Sequence, residues 1–237
     1  MFTITPIAHI RSPYKQKFAI PRQPGLVPAA RGEVVFTGEF ADPNCLRDIE
    51  QFSHLWLLFH FHETAAKGWS PTVQPPRLGG KDRVGVFASR STFRPNGIGL
   101  SAVTNLGWEH LDGELVLRVG GLDLLDGTPI IDIKPYLPYA DSIAVATGGY
   151  AETAPGNAFA VTFSAAADEA LALLAAAYPD LRQLVTAVLE QDPRPAWRQR
   201  DPDDKQYGMN LYDLNIKWRV YPDRLEVVRI EPAGQGD

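Results

Sequence analysis

The chain contains a single cysteine, Cys45, among its 237 residues. One cysteine excludes an intrachain disulfide and a zinc site built from several cysteines. The longest apolar stretch, Leu55–Phe61, is interrupted by His60 and is much shorter than the roughly 20 residues that span a bilayer. Residues 1–10 lack the basic region and apolar run of a signal peptide. We therefore expect a cytoplasmic protein without a membrane partner.

Several common enzyme signatures are also missing from the sequence. No G-x-G-x-x-G is present, so a Rossmann-type nucleotide site is not indicated. The P-loop pattern, the G-x-S-x-G elbow and the H-E-x-x-H zinc pattern are absent as well. The function must therefore be inferred from the composition of individual segments.

The charge of the chain is unevenly distributed around a net value of −5. Residues 1–32 contain five basic and no acidic side chains, and residues 67–96 contain six basic side chains and one acidic. Two basic segments on an acidic protein can form one local anion-binding surface. Two separate solvated loops are the alternative.

The first part of the chain has the pattern of a mainly β domain. Short runs rich in β-branched and aromatic residues are separated by Gly, Pro and Asn clusters, without alternating amphipathic helices. This pattern favours a β-barrel or a sandwich over a doubly wound sheet. We predict one short helix at Asn44–Phe52, and strands at Phe2–Ile10, Glu33–Thr37, Leu55–Phe61, Arg83–Ala88, Leu100–Leu106, Glu114–Val119 and Pro129–Ile133.

The composition changes near Gly148, where Gly148-Gly149 and Ala154–Asn157 indicate a linker. Apolar residues then recur at helical spacing, which predicts two helices divided by Pro179. We predict a β domain over residues 1–147 and a small α+β domain over residues 157–237. The predicted elements of the second domain are a strand at Ala158–Ser164, helices within Ala165–Gln191, and a hairpin of Leu211–Val220 with Leu225–Ile230.

Three loops dense in Gly, Pro and charge are candidates for ligand binding. In residues 12–28, Pro21 and Pro24 restrict the backbone around Arg22-Gln23, and a rigid loop binds a ligand at little entropic cost. In residues 83–101, Arg90 and Arg94 can bind a carboxylate or phosphate. Each segment also suits an ordinary connecting loop.

The third loop, residues 122–142, combines a turn signature with three carboxylates. Asp123, Asp126 and Asp132 can interact with a cationic group or a ribose. Alternatively, Asp126 caps the turn and Asp132 pairs with Lys134 on one face of a strand.

A row of histidines raises the possibility of a metal site. His60 and His62 stand two apart on a predicted strand and therefore share a face, and His54 has the same parity. No obvious third metal ligand lies near this row in the sequence, so we predict that the histidines do not form a metal site.

Three motifs in these loops are highly specific: PRQPGLVP (residues 21–28), RSTFRPN (residues 90–96) and DGTPIIDIKPYLPYADS (residues 126–142). They resemble the loops of the TrmO family, also known as YaeB-like proteins. The resemblance covers nearly the whole chain, and chance agreement at all of its motifs is implausible. Further matching stretches are residues 10–20, 52–61, 75–80, 85–89, 97–101, 123–125, 191–196 and 213–218.

This resemblance implies an N-terminal β-barrel that binds S-adenosylmethionine (SAM), a small α+β C-terminal domain, and a homodimer with SAM near the interface. It implies methyl transfer to N6 of N6-threonylcarbamoyladenosine, next to the anticodon of threonine tRNA. The implied SAM contacts are Pro21, Arg22, Gln23, His62, Glu63, Arg90, Leu100, Asp126, Gly127, Thr128 and Pro129. The chain departs from the family at Gly97, where proline is common, and at Glu63, where glutamine is common.

For such a reaction we expect in-line displacement on the sulfonium, with positioning supplying most of the catalysis. A carboxylate would take the nitrogen's proton, and Asp126 and Asp132 are the candidates. We assign Arg94 and Lys134 to the threonyl carboxylate, and Tyr136, Tyr139 or Phe93 to base stacking; core packing is the alternative for the rings. Rival functions are a non-catalytic SAM-binding sensor or adaptor, a methyltransferase for another RNA or a small molecule, and an RNA-binding module without SAM.

Overall fold

The computed structural model of this protein describes residues 3–79, 82–156, 159–194 and 205–234. The prediction of a mainly β chain with a few helices is confirmed. The helices are α1 (His62–Ala65), α2 (Pro138–Asp141), α3 (Ala165–Leu174) and α4 (Leu181–Glu190). The strands are β1 (Ala8–Arg11), β2 (Arg31–Phe36), β3 (His54–His60), β4 (Thr72–Val73), β5 (Val84–Gly85), β6 (Ile98–Leu111), β7 (Glu114–Gly120), β8 (Pro129–Pro135), β9 (Ala160–Phe163), β10 (Gln206–Leu211), β11 (Leu214–Val220) and β12 (Arg224–Pro232).

Six strands close into a barrel in the order β1-β2-β7-β6-β3-β8. All neighbours are antiparallel, and closure results because β1 pairs with both β2 and β8. Leu55, Leu57 and Phe59 of β3 point into the barrel and are almost fully buried, whereas the residues between them are partly exposed. This alternation in burial is what a half-buried strand requires. The strand itself was predicted from its short run of aromatic and aliphatic residues, in which the sequence does not alternate.

The barrel has an irregularity in β8 that reorients its side chains. Ile130 is fully buried, but the register with β3 then shifts by one residue. An extra residue in a strand turns the following side chains to the opposite face. Asp132 consequently lies opposite Leu58, and Lys134 lies opposite Trp56, on the outer face of the barrel.

Three predicted elements of the first part are wrong in whole or in part. Of the strand predicted at Phe2–Ile10, residues 3–7 are not in a strand, because β1 begins at Ala8. The segment Arg83–Ala88 is a strand only at β5, because a 3-10 turn begins at Val86. The segment Asn44–Phe52 is not one helix but two 3-10 turns. Asp48 separates these turns with a φ of 66°, a left-handed conformation that ends a right-handed helix.

The C-terminal part is a four-stranded sheet in the order β10-β11-β12-β9, and α3 and α4 pack against it. Ser164 caps α3 by accepting a hydrogen bond from the Ala167 N–H. The predicted strand Leu211–Val220 is divided, because Tyr212 has a φ of 55° in the turn between β10 and β11. None of the helices in the described ranges has the length and apolarity needed to cross a bilayer.

The segment after β1 joins the barrel to the C-terminal sheet. Tyr14 forms a bridge with Leu211, and the Tyr212 N–H donates to the carbonyl of Pro13 at 2.8 Å. The ring of Phe18 stacks on Trp218, with centroids 5.9 Å apart. The two parts therefore share one apolar core. The predicted boundaries at residues 147 and 157 stay predictions. Residues 1, 2, 80, 81, 157, 158, 195–204 and 235–237 lie outside the described ranges, and so does the end of the matching stretch at residues 75–80.

Gly99→Ala is expected to destabilise the barrel. A Cβ on Gly99, which lies opposite Phe59 in the sheet, would overlap the buried ring of Phe59 and contact Phe61 at 2.9 Å. Overpacking of this kind costs about 1–3 kcal/mol, and for a chain of this size each kcal/mol lowers the melting temperature by roughly 2–4 °C. Thermal unfolding followed by circular dichroism measures the effect.

Gly85→Ala is the matched control for this substitution. A Cβ on Gly85 would meet nothing within 4 Å, and its φ of −59° suits alanine. Equal melting temperatures for the two variants would contradict the packing argument.

Candidate active site

A cavity of about 1540 Å³ lies between the barrel and α4. It is lined by residues of all three loops that the sequence singles out, together with α1 and the end of β3. The loops approach one another because β8 pairs with both β1 and β3, and β3 in turn pairs with β6.

The turn at residues 126–129 is hydrogen-bonded to the segment that follows β1. The Asp126 N–H donates to the Tyr14 carbonyl at 2.9 Å, and the Gly127 N–H donates to the Ile10 carbonyl at 2.8 Å. In return, the Ile10 N–H donates to the Thr128 carbonyl at 2.9 Å. The glycine is required because its φ is 75°. These bonds fix one wall of the cavity.

The Asp126 side chain strengthens the same connection. Its Oδ1 accepts a hydrogen bond from the Ser12 N–H at 2.8 Å, and its Oδ2 lies 2.7 Å from Lys15 Nζ. Both carboxylate oxygens are therefore engaged in holding the loop. This geometry combines the turn-capping role with a position at the cavity wall.

The loop at residues 21–25 is held from two sides. The Gly25 N–H donates to the Gly121 carbonyl at 2.8 Å, and a Cβ on Gly121 would lie 3.5 Å from the Gly25 Cα. On the other side, Arg90 Nη1 donates to Gln23 Oε1 at 2.6 Å. Two glycines with positive φ allow this close approach, and the arginine joins two of the candidate loops.

The loop at residues 89–97 is shaped by its own arginine. Arg94 Nη1 donates to the Ser89 carbonyl at 2.7 Å, which folds the loop back on itself. The Phe93 ring lies under Lys17 Nζ, 5.9 Å from the ring centroid, so this loop also contacts the first one. Arg94 and Phe93 both line the cavity.

Asp123 is a partly buried carboxylate in the cavity wall. Burial raises its pKa from 3.8 to about 6, although a hydrogen bond from Ser101 and the nearby charge of Arg90 act in the opposite direction. Ser101 Oγ donates to Asp123 Oδ1 at 2.7 Å. Asp123 is therefore the carboxyl group of this cavity whose charge burial disfavours.

The structure brings most of the predicted SAM contacts together. Nine of the eleven line the cavity, and the other two, Gly127 and Pro129, belong to the turn of Asp126 and Thr128. The nine are Pro21, Arg22, Gln23, His62, Glu63, Arg90, Leu100, Asp126 and Thr128.

Four other predicted site residues lie outside the cavity lining. Asp132 and Lys134 are on the outer face of β8, with the carboxylate 3.8 Å from the ammonium. The Tyr136 ring lies 5.4 Å from the ring of Trp56, a residue that does line the cavity. Tyr139 is 88% exposed on α2. The four residues therefore lie on an outer surface formed by β8 and the residues after it, and this surface adjoins the cavity at Trp56.

The prediction that His60 and His62 share a strand face is wrong. β3 ends at His60, and α1 begins at His62, because Phe61 leaves the extended conformation with a ψ of 66°. His62 turns towards the cavity, with Nε2 3.7 Å from a Glu63 carboxylate oxygen. Within the described ranges, no three His, Cys, Asp or Glu residues gather where they could hold a metal ion.

The C-terminal part contributes a wall that sequence reasoning did not assign. Gln191 lines the cavity and donates through its amide to the Leu26 carbonyl at 3.3 Å. Arg194 also lines the cavity. It forms a buried bidentate ion pair with Asp192, in which both hydrogen bonds are 2.8 Å long. The QDPRPA stretch was noted only for its resemblance, and Pro195 and Ala196 lie outside the described ranges.

Two family models match this chain. The tRNA-methyltransferase O N-terminal domain matches residues 9–142, and the TrmO C-terminal domain matches residues 156–233. The chain belongs to the TrmO family. The structure is consistent with glycine at position 97, because Gly97 has a φ of 58°, which proline cannot adopt.

Curated relatives and solved TrmO structures agree with this membership. The chain is 49% identical to the tRNA (adenine(37)-N6)-methyltransferase of Escherichia coli, over 98% of both chains. It is 45% identical to the putative S-adenosylmethionine-dependent methyltransferase RcsF of Pseudomonas aeruginosa, over 99% of both. A crystal structure of TrmO from Pseudomonas aeruginosa has a TM-score of 0.78 and 39% identity, covering 98% of this chain and 99% of that one.

Asp123→Asn is expected to stabilise this TrmO-family protein near neutral pH. Because the pKa is raised in the folded state, the native carboxyl binds its proton more tightly than the unfolded one. Ionising the buried carboxyl therefore reduces the free energy of unfolding. This reduction is absent below pH 4, grows as the pH rises to about 6, and is constant at higher pH. We expect the variant to gain on the order of 2 kcal/mol at pH 7.5.

Melting temperatures of wild type and variant from pH 4 to pH 8 test this expectation. Asp126→Ala is the contrasting variant, because it removes the partner of Ser12 and Lys15 and should lower the melting temperature. A gain for Asp123→Asn that is the same at pH 4 and pH 7.5 would contradict the assigned cause.

Proposed function

We propose that this chain transfers the methyl group of SAM to N6 of N6-threonylcarbamoyladenosine next to the anticodon of threonine tRNA. The observation that carries the proposal is the gathering of nine predicted SAM contacts in one cavity. Relatives named tRNA (adenine(37)-N6)-methyltransferase, including the full-length match from Escherichia coli, support methyl transfer to N6 of an adenine in tRNA.

The chemistry of the cavity fits both reactants. SAM carries a cationic sulfonium, a ribose and an amino-acid carboxylate, for which the cavity offers Asp126 as an acceptor and Arg22 and Arg90 as cations. Its volume of about 1540 Å³ exceeds the roughly 300–1,000 Å³ of a small-molecule site. The cavity therefore has room for the methyl donor and a target base.

The charge around the cavity favours an RNA substrate despite the net value of −5. Among the four acidic side chains of the lining, Asp126 pairs with Lys15 and Asp192 pairs with Arg194. The remaining basic side chains of the lining are Lys17, Arg22, Lys67, Arg90 and Arg94. A cationic rim attracts the phosphate backbone and orients the tRNA.

The outer face of β8 supports contacts with the modified base. Lys134 on this face and Arg94 in the cavity lining are assigned to the threonyl carboxylate, and Tyr136 and Tyr139 to stacking on bases of the loop. The contact between Tyr136 and Trp56 connects this surface to the cavity. Residues of one strand and its extension would then hold the RNA while the cavity holds the reacting groups.

We also propose a homodimer that closes the cavity. Ile98 and Leu100 line the cavity on β6, yet they are 37% and 51% exposed. Apolar side chains at a cavity mouth indicate a surface that is covered in the working state. Light scattering tests this, since a dimer has twice the chain mass of 26.1 kDa.

In this reaction the protein acts mainly by positioning. When bound, SAM would supply an electrophilic methyl group, and the rigid loops would position the acceptor nitrogen towards it. The loops are suited to this because hydrogen bonds of Gly25 and Asp126 fix their backbones. The sequence predicts Asp126 and Asp132 as proton acceptors. Of the two, only Asp126 lines the cavity, and the asparagine variants test both predictions.

We expect labelled methyl groups to appear on N6-methylated threonylcarbamoyladenosine in tRNA. Purified protein is incubated with labelled SAM and tRNA from cells that lack their own TrmO, and the digested nucleosides are identified by mass spectrometry. Threonine tRNA without the threonylcarbamoyl group is the control substrate and should stay unlabelled. Binding of SAM without label in any tRNA would favour a sensor or adaptor, and label on another nucleoside would favour a different substrate.

Lys67→Ala is expected to weaken tRNA binding while leaving SAM binding intact. Lys67 is an exposed cation at the cavity, and each lost phosphate contact reduces the slope of log affinity against log salt by roughly 0.7–0.9. Titrations at several salt concentrations measure this slope. Arg229→Ala, which removes a 68% exposed cation outside the cavity lining, is the control and should leave the slope unchanged.

A further inference from the structure

The cavity wall contains two aspartates of the same loop, Asp123 and Asp126, and their side chains have different hydrogen-bond partners. Asp126 uses one oxygen for the Ser12 N–H and the other for Lys15. Protonation of this carboxylate would weaken bonds that hold the loop in place. A proton acceptor at this position would loosen the site during each turnover.

Asp123 has a different set of partners. Within the described ranges, Ser101 is the only side chain that donates a hydrogen bond to it, and this bond engages Oδ1. The second oxygen therefore has no side-chain donor in this part of the chain. Unlike Asp132, which lies on the outer face of β8, Asp123 lines the cavity itself.

The groups that face Asp123 come from three directions. Ser101 reaches it from β6, and the Arg90 guanidinium acts on it from the neighbouring loop. Tyr14, from the segment after β1, is fully buried and interacts with Asp123 electrostatically. The Tyr14 hydroxyl has no hydrogen-bond partner among the described residues, and burial raises its pKa. Tyr14 therefore stays neutral, and Arg90 is the charged neighbour.

We propose that Asp123 accepts the proton that N6 of the target adenosine loses during methylation, and that Ser101 is the positioning residue that orients its carboxylate. The assignment rests on the proposed function. The N6–methyl bond forms as the sulfur–methyl bond breaks, and the electron pair of that bond stays on the sulfur. The N6 proton passes to Asp123, which releases it to water after the product leaves.

The environment of Asp123 suits this task chemically. The lone pair of an exocyclic nitrogen is conjugated, so the nitrogen becomes a good nucleophile only as its proton departs. An acceptor works best when its pKa lies near the working pH, and burial places the pKa of Asp123 at about 6. Asp123 is thus charged at neutral pH and basic enough to take a proton.

Single-turnover rates at saturating SAM, from pH 5 to pH 9, test the assignment. In the wild type the rate should rise through an apparent pKa near 6 and then level off. Asp123→Asn should lower the plateau by about 10²–10⁴-fold and lose the rise. Ser101→Ala removes the hydrogen bond that lowers the pKa of Asp123, so its rise should move to higher pH.

Two controls separate proton transfer from other roles. Asp223→Asn, at a side chain that is 75% exposed outside the cavity lining, should keep the wild-type rate and pH profile. Calorimetry should give Asp123→Asn a SAM affinity within threefold of wild type, and circular dichroism should show an intact fold. If Ser101→Ala lowers the plateau of the rate but leaves the apparent pKa of the pH profile unchanged, Ser101 contributes only packing. That result would contradict its positioning role.

Three results would overturn the assignment of Asp123. Asp123→Asn retaining a rate within threefold of wild type would exclude it as the proton acceptor. A defect in Asp123→Asn that vanishes at saturating SAM would make Asp123 a SAM contact instead. Rate loss confined to Asp126→Asn or Asp132→Asn would move the role to those residues. Absence of methylation by the wild type would contradict the proposed function itself, which is a different result from failure of one variant.

Discussion

The pairing of the turn at residues 126–129 with the segment after β1 is the constraint on which the site depends. Backbone bonds between Asp126 and Tyr14, and between Gly127 and Ile10, hold these segments in register. The same segment then continues into the contact of Phe18 with Trp218. One stretch of chain therefore carries the cavity wall on one side and the C-terminal sheet on the other. Movement of either part would be transmitted to the cavity because the interior between them is close-packed.

Closure of the barrel explains why loops distant in sequence form one site. β3 lies between β6 and β8, so residues that precede β6 and β8 emerge beside the end of β3. Arg90 and Gln23 then meet although 67 positions separate them. The glycines at 25 and 121 allow two of these loops to approach within van der Waals distance. A rigid frame with short, constrained loops is what a reaction dominated by positioning requires.

The sequence predicts this architecture well where local patterns decide it, and poorly where register decides it. A short run of aromatic and aliphatic residues identifies β3, and a helical period identifies α4. The sequence also places Asp132 and Lys134 on one face of a strand, as observed, but the bulge in β8 has no local signature, so whether that face is the inner or the outer face of the barrel was not predictable. The end of β3 before His62 was missed for a related reason, because the change at Phe61 reflects tertiary contacts rather than propensity. The wall formed by Gln191 and Arg194 required knowledge of how the two parts dock.

Asp123 and Asp126 show how one loop can separate structural from chemical work. They lie three residues apart and line the same cavity, yet only Asp126 meets a lysine and the backbone N–H of another segment, that of Ser12. A carboxylate held by these two donors secures the loop to the segment after β1. A buried carboxylate whose donors are one hydroxyl and its own backbone N–H carries a free-energy cost when charged, and that cost makes it a better proton acceptor. The fold tolerates the free-energy cost of a charged Asp123 because Asp126 holds the same loop through its own hydrogen bonds. The unfavourable environment of Asp123 therefore does not loosen the cavity wall.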